Sequence, residues 1–331
     1  MNLRTISSRS LAALALILSI GAGAKLALSQ QPAQTSSDGE VHVLPVQGNI
    51  YMLVGAGANI TAQVGKQGIL LVDAGTADAS PKVLAALKKL TDKSIRYILD
   101  TRYADDHTGG NDALRRAGVT ITGANVAGNL TDVTQSAAIL AQDQVLARMS
   151  APTGEKPPTA PGFWPTLTYL GEEKELYFND EAVQMIHANG TTDGDSIVFF
   201  RRSDVVSTGD LFNTNSYPQI NVAAGGGIQG VIEGLNVILH IMVPAHEQEG
   251  GTLAIPGHGR LCDEADVVEY RDMLAIVRDR IRDGIKKGLT LDQIKAAAPT
   301  YEYDPLYGAQ SGSWTTGMFI EAAYNSLAPK K

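Results

Sequence analysis

The residues best suited to chemistry lie in one short stretch, DTRYADDHTGGN, at positions 100–111. It follows an apolar run, places an acid directly before His107, and ends in a glycine pair. Imidazole and carboxylate groups are ligands for divalent metals. The chain has 1 cysteine, Cys262, so a cysteine-rich zinc site is excluded. The stretch therefore looks like a metal-binding loop whose site must use histidine and carboxylate ligands.

The elements before this loop alternate between strand and helix patterns. Four short runs at positions 41–75, VHVLPV, NIYMLVG, NITAQVG and GILLVDAG, are typical of strands and predict an antiparallel meander. SPKVLAALKKL then predicts a helix with Ser80 as its N-cap and Pro81 in its first turn. The run IRYILDT predicts a further strand, which places the metal-binding loop at its carboxyl end.

The second half repeats this order of elements. Residues 131–149 predict a helix, and further strand patterns follow the proline-rich residues 151–165. The last third is mostly helical, with Gly288 ending a long helix and Thr290 with Gln293 capping the next. Two mixed sheets with helices outside each would bury these apolar faces, which predicts an α/β fold in the form of a four-layer αββα sandwich.

The first residues predict export. Arg4 and Arg9 precede an apolar run and small residues, the pattern of a signal peptide over residues 1–29 with cleavage after Ala24 or Ser29. A polar linker at 30–40 and one domain at 41–331, with helices at its carboxyl end, would follow. We therefore expect a periplasmic or secreted protein without stable membrane insertion after cleavage.

Composition narrows the partners. The chain of 331 residues has a formal net charge of -8, which argues against nucleic-acid binding. A small-molecule substrate or ligand is the expected partner, and the oligomeric state is not predicted.

Five stretches resemble landmarks of one family. LLVDAG, DTRYADDHTGG, GTTDGDSIVFF, STGDLF and IPGHG occur in the order found in the metallo-beta-lactamase superfamily. The resemblance extends over nearly all of the mature chain. It implies the same four-layer sandwich and a metal-dependent hydrolase.

The resemblance also implies that the first of the family's two metal sites is degenerate. The family pattern Thr-His-x-His-x-Asp-His supplies two histidines to that site, and Arg102 and Ala104 occupy those positions here. A third histidine of the family is replaced by Thr191. The second site keeps its ligands by the same comparison: Asp106, His107 and His258, with Asp210 as the carboxylate that bridges both metals.

These ligands imply one divalent metal, foremost zinc, with iron or manganese as alternatives. The leading hypothesis is a hydrolase whose metal-bound hydroxide cleaves an ester, amide, lactone or phosphoester bond, with Asp106 and Arg102 as catalytic residues. Arg102 would stand in for the missing first cation. One alternative is a non-catalytic ligand-binding protein that keeps the cleft, and another is an iron-dependent redox role.

Four other residues are assigned supporting positions. The resemblance implies that Asp73 holds the ligand loop by hydrogen bonding. His187 is expected in the core or beside a ligand carboxylate. Phe163 and Trp164 are expected either at the mouth of a pocket or in a rigid surface connection.

Overall fold

The computed structural model describes residues 39–120, 136–151 and 159–329. The predicted signal peptide and most of the predicted linker lie outside the described residues. The strands are β1 (His42–Pro45), β2 (Ile50–Val54), β3 (Ile60–Gly65), β4 (Gly68–Val72), β5 (Ile95–Asp100), β6 (Ala138–Gln142), β7 (Leu167–Tyr169), β8 (Glu173–Phe178), β9 (Glu181–Ala188), β10 (Asp195–Phe200), β11 (Val205–Ser207) and β12 (Leu253–Ile255). The helices are α1 (Ser80–Leu90), α2 (Asp105–Thr108), α3 (Asn111–Arg116), α4 (Asp143–Ser150), α5 (Ile228–Ile241), α6 (Glu264–Lys286), α7 (Leu291–Ala296), α8 (Asp304–Tyr307) and α9 (Thr316–Leu327).

The strands form two sheets. The larger has 7 strands in the order β1-β2-β3-β4-β5-β6-β7, antiparallel from β1 to β4 and parallel from β4 to β7. The smaller has 5 strands in the order β12-β11-β10-β9-β8, in which only β11 and β12 run parallel. The predicted meander over β1 to β4 is confirmed.

The core has three apolar layers. Side chains from both sheets, including Leu70, Leu99 and Phe200, pack between the sheets. The outer face of the larger sheet packs on α1 and α3. The outer face of the smaller sheet packs on α5, α6 and α9. This arrangement of helix, sheet, sheet and helix confirms the predicted four-layer αββα fold.

Two local predictions are wrong. Residues 131–149 are not one helix, because β6 occupies Ala138–Gln142 and the helix begins only at Asp143. Ser80 is the first helical residue of α1, and the cap position belongs to Ala79. The helix predictions near the carboxyl end are confirmed: Gly288 has a φ of 76° just after α6, and Thr290 and Gln293 form the capping box of α7.

Among the helices of the described residues, the longest, α6, carries many charged side chains, whereas a bilayer requires a long apolar helix. None of these helices is both long and apolar enough to span a bilayer.

Candidate metal site

The candidate site lies where four strands end. β4 and β5 run parallel in the larger sheet, and β11 and β12 run parallel in the smaller sheet. Asp73 follows β4, while Asp106 and His107 lie in α2 shortly after β5. Asp210 and His258 follow β11 and β12. Loops at the carboxyl ends of parallel strands meet at one edge, which brings residues far apart in sequence together.

His107 is fully buried and is oriented by Asp73. Its Nδ1 lies 2.8 Å from Asp73 Oδ2. The same carboxylate accepts hydrogen bonds from the backbone N–H and the hydroxyl of Thr101, each at 2.8 Å. Because a carboxylate can only accept, Nδ1 carries a proton, and Nε2 is the ring nitrogen that faces the site and could bind a metal. The support expected from Asp73 is therefore present.

His258 lies opposite His107, and hydrogen bonds hold both its side chain and its backbone. Its Nε2 lies 3.1 Å from Asp106 Oδ2, and its backbone N–H donates to Asn213 Oδ1 at 3.0 Å. Asn59 donates to the carbonyl groups of Pro256 and Gly259, on either side of the histidine. The His258 side chain is held by these contacts while remaining partly exposed.

Asp210 lies between the two imidazoles. Its Oδ1 is 3.3 Å from His107 Nε2 and 3.6 Å from His258 Nε2. A side chain at Gly257 would collide with this oxygen, so the glycine of PGHG makes room for the carboxylate. Among the described residues, neither Asp210 Oδ1 nor His107 Nε2 has an aligned hydrogen bond, although both atoms are buried. The short separations are therefore close approaches without hydrogen-bond geometry.

These atoms fit a divalent cation. Asp106, His107 and His258 each offer a ligand atom, and the three atoms lie within 4.8 Å of one another. A buried imidazole nitrogen and a buried carboxylate oxygen without hydrogen bonds are costly unless a partner satisfies them. Imidazole and carboxylate ligands of this kind suit zinc, iron or manganese. The predicted ligands are thus brought together, and their binding of a metal stays a prediction.

Arg102 contacts the other side of the same carboxylate. Its Nη1 donates to Asp210 Oδ2 at 2.5 Å, and both side chains are more than nine-tenths buried. Asp210 therefore has one oxygen facing a guanidinium and the other facing the candidate metal ligands. This is the geometry expected if Arg102 replaces a first cation.

The ionisation of these groups follows from burial and charge. Burial opposes the charge on Asp210, but the charges of His107 and Arg102 outweigh it and hold the pKa of this carboxyl below its usual range. Burial also disfavours a charged His107, yet Asp73 and Asp210 raise its pKa well above the usual value. For Asp106, the hydrogen bond from His258 and the charge on His107 outweigh burial and lower the pKa. Both Asp106 and Asp210 are ionised at neutral pH, the form that binds a cation.

The other two replaced positions offer no metal ligand. Ala104 is the cap residue of α2, and Thr191 is fully buried. Thr191 donates its backbone N–H and its hydroxyl to Asp195 Oδ2, both at 2.6 Å. Asp195, which no sequence argument singled out, also accepts from Thr192. The run Thr-Thr-x-x-Asp is the local signal that could have indicated this hydrogen-bonded turn.

The remaining candidates lie outside the ligand cluster. His187 Nε2 is paired with the carbonyl oxygen of Asp193 at 2.9 Å and not with a ligand carboxylate. Phe163 and Trp164 pack against residues of β6 and α4, and the Phe163 carbonyl accepts a hydrogen bond from Asn111, as in a rigid connection. Cys262 is buried in the core of the smaller sheet.

Comparison with known proteins agrees with this arrangement. A sequence profile of the Metallo-beta-lactamase superfamily matches residues 44–258. The chain belongs to this superfamily. Superfamily members usually bind divalent metals, so the candidate site occupies the expected place. No curated protein matches the chain.

Solved structures of superfamily members show the same fold. A double mutant of the sec-alkyl sulfatase PisA1 is 16% identical, with a TM-score of 0.62, covering 86% of this chain and 50% of that one. The stereoselective inverting sec-alkylsulfatase Pisa1 from Pseudomonas sp. is 14% identical, with a TM-score of 0.59 and the same coverage. A metallo-beta-lactamase from Pontibacter korlensis is 13% identical, with a TM-score of 0.52, covering 71% of this chain and 99% of that one. The chain thus spans about half the length of the alkylsulfatases, and these identities establish the fold alone.

The Asp73 carboxylate gives a direct test of the site. We expect Asp73→Asn to weaken metal affinity by about 10–100-fold, because an amide has one accepting oxygen for Thr101 and His107 to share and lacks the charge that fixes the Nδ1 proton. Asparagine tolerates the φ of 64° found at this position, so the backbone should be retained. Competition against a chromophoric chelator measures the affinity.

The matched control is Asp105→Asn. Asp105 is exposed and adjoins Asp106, so the same charge change occurs near the site without a ligand contact. We expect the affinity to stay at the parent value. Equal affinities for Asp73→Asn and the parent would show that Asp73 does not orient His107.

Proposed function

We propose that the protein is an exported hydrolase that uses one divalent metal, held by Asp106, His107, His258 and Asp210, to cleave an ester, amide, lactone or phosphoester bond. The observation that carries the proposal is the convergence of His107 Nε2 and Asp210 Oδ1, both buried without aligned hydrogen bonds, beside Asp106 and His258. Export is supported by the sequence of residues 1–29 alone.

If Asp106, His107, His258 and Asp210 held a divalent metal, it would supply Lewis-acid chemistry, the activation of water at neutral pH and the polarisation of the bond to be cleaved. The protein supplies the orientation. Asp73 keeps Nε2 of His107 directed into the site. The His258 backbone is fixed by Asn213, so the second imidazole also needs little rearrangement.

Two residues are placed to act on the substrate. Asp106 is the most exposed carboxylate of the cluster, with one oxygen paired to His258, so its other oxygen can accept a proton from an attacking water. Arg102 is permanently charged and can donate to an oxygen on which negative charge develops. In a site with two metals, one metal can activate the water while the other stabilises the developing negative charge. Here the guanidinium of Arg102 would stabilise that charge in place of the second metal.

Elemental analysis of the purified mature protein tests this proposal. We expect about one metal per chain, because the described residues present one set of converging ligands. His258→Ala should abolish metal binding. His187→Ala is the matched control and should retain the metal, since His187 bonds to the Asp193 carbonyl outside the cluster.

Two results would contradict the proposal. Two tightly bound metals per parent chain would show that the first site is functional. A chain that takes up no zinc, iron or manganese, and hydrolyses no ester, amide, lactone or phosphoester when these are supplied, would instead be the non-catalytic binding protein.

One observation favours that second function. The Arg102 guanidinium neutralises the charge of Asp210 within the chain, and His258 Nε2 already contacts the Asp106 carboxylate. A cleft balanced in this way can hold a ligand without turnover. Metal content and hydrolysis, measured on the same preparation, separate the two functions.

A further inference from the structure

A cavity of about 460 Å³ opens beside Arg102. One side of the cavity is the connection between β11 and α5, which contributes Ile220 and Val222. The other side is the start of α9, where Trp314 precedes the helix and Met318 lies in its first turn. We propose that this cavity selects substrates that carry an anionic group on a hydrocarbon chain, with Arg102 as the anchor for the anion. The inference rests on the proposed function for the reaction at the neighbouring site.

The guanidinium has unused hydrogen-bonding capacity. An arginine offers five N–H donors, and Nη1 of Arg102 donates to Asp210. Within the described part of the chain, Nε is buried without an acceptor, and Nη2 has no hydrogen bond either. The remaining donors can therefore serve a ligand oxygen once the side chain adjusts to it.

A second residue of the lining also has an unused donor. Trp314 lines the cavity, and its indole N–H is buried without an acceptor among the described residues. An indole N–H can only donate. Two groups that can only donate favour a ligand group that can only accept, such as a carboxylate, a sulfate or a phosphate.

The carboxylates near Arg102 do not remove the preference of the cavity for an anionic ligand. Asp195 already accepts from the backbone and hydroxyl groups of Thr191 and Thr192. Glu321, the acidic residue of the cavity lining, is paired with Lys295 at 2.7 Å. A metal bound by Asp106 and Asp210 would neutralise these two, which leaves the charge of Arg102 available to a ligand.

The rest of the lining is divided between uncharged amides, those of Gln219, Asn221 and Asn325, and an apolar part that suits hydrocarbon. Ile220, Val222, Met318 and Ala322 contribute apolar side chains. Val222 and Met318 are large hydrophobic residues with 36% and 43% of their surface exposed. Exposed apolar side chains grouped around a cavity mark a binding groove. An alkyl chain that extends from the anion past Met318 would cover them.

The binding of octanoate and octanol to the zinc-loaded protein tests the inference. The chain has 2 tryptophans, so Trp164→Phe leaves Trp314 as the sole fluorescent reporter in the cavity. We expect saturable quenching by octanoate and binding at least about tenfold weaker for octanol, because a hydrogen bond to a charged group is stronger than one between neutral groups. Octyl phosphate should bind as octanoate does.

Three variants, each with its zinc content measured, locate the interaction. Met318→Asp should weaken octanoate binding about tenfold by placing a like charge in the groove. Ile276→Asp is the matched control, because Ile276 is 41% exposed on α6 outside the cavity, and its affinity should equal that of the parent. Arg102→Gln at full zinc content should reduce octanoate affinity to that of octanol.

Equal affinities for octanoate and octanol would overturn the inference, as would equal effects of Met318→Asp and Ile276→Asp. The proposed function can fail separately. Octanoate binding without hydrolysis of any tested bond would contradict the hydrolase alone. Hydrolysis of neutral esters by a protein that does not bind octanoate would contradict the anion-selective cavity alone.

Discussion

Replacing Arg102 with alanine is expected to lower the free energy of unfolding by about 3–5 kcal/mol, because it leaves Asp210 buried without its charged partner. The two side chains are 8% and 5% exposed, so the Asp210 carboxylate is poorly solvated in the folded chain and depends on the guanidinium. Urea unfolding in the presence of a chelator measures the change without a contribution from bound metal.

Two controls separate this effect from a general loss of an arginine. Arg148 pairs with Asp193, but these side chains are 33% and 26% exposed, so Arg148→Ala should cost at most about 1 kcal/mol. Adding Asp210→Asn to Arg102→Ala should recover part of the lost stability, since a buried amide is less costly than an unpaired carboxylate. Unchanged stability in Arg102→Ala would show that the ion pair contributes nothing.

The triple variant Arg102→His, Ala104→His, Thr191→His is expected to bind about two metals per chain instead of about one, because three imidazoles then join Asp210 Oδ2 at the first site. Asp195 keeps its hydrogen bonds from the backbone of Thr192 and from that of position 191. Elemental analysis after zinc loading gives the stoichiometry.

The single variant Ala104→His is the matched control. It adds one imidazole while Arg102 remains on Asp210 Oδ2, so it should stay at about one metal per chain. If the triple variant also binds one metal, the replaced positions do not converge on Asp210, and Arg102 does not occupy a former metal position.

The fold could be predicted where local pattern and burial agree. The four strands of the meander and the capping box at Thr290 follow from periodicity and turn residues. The segment around Ala138–Gln142 could not, because its alanine-rich composition favours helix while its position between β5 and β7 makes it a buried parallel strand. Contacts with neighbouring strands override the local preference.

The site shows the same division. Asp106, His107, Asp210 and His258 could be assigned from ordered landmarks, and the structure places them together. The cavity beside Arg102 could not be predicted, because Ile220 and α9 are far from the ligand loop in sequence and carry no motif. Tertiary packing, with α9 placed against α5 and α6, brings them to the guanidinium.

The two oxygens of Asp210 face different positive groups, a metal ion expected beside Oδ1 and the Arg102 guanidinium beside Oδ2. The ion expected beside Oδ1 has to be acquired from the surroundings, and acid that protonates its histidine ligands would release it. The guanidinium beside Oδ2 is part of the polypeptide itself, and it stays protonated at any pH at which the chain is folded. In a metal-poor environment, newly made chains would therefore fold with this half of the charge balance already in place.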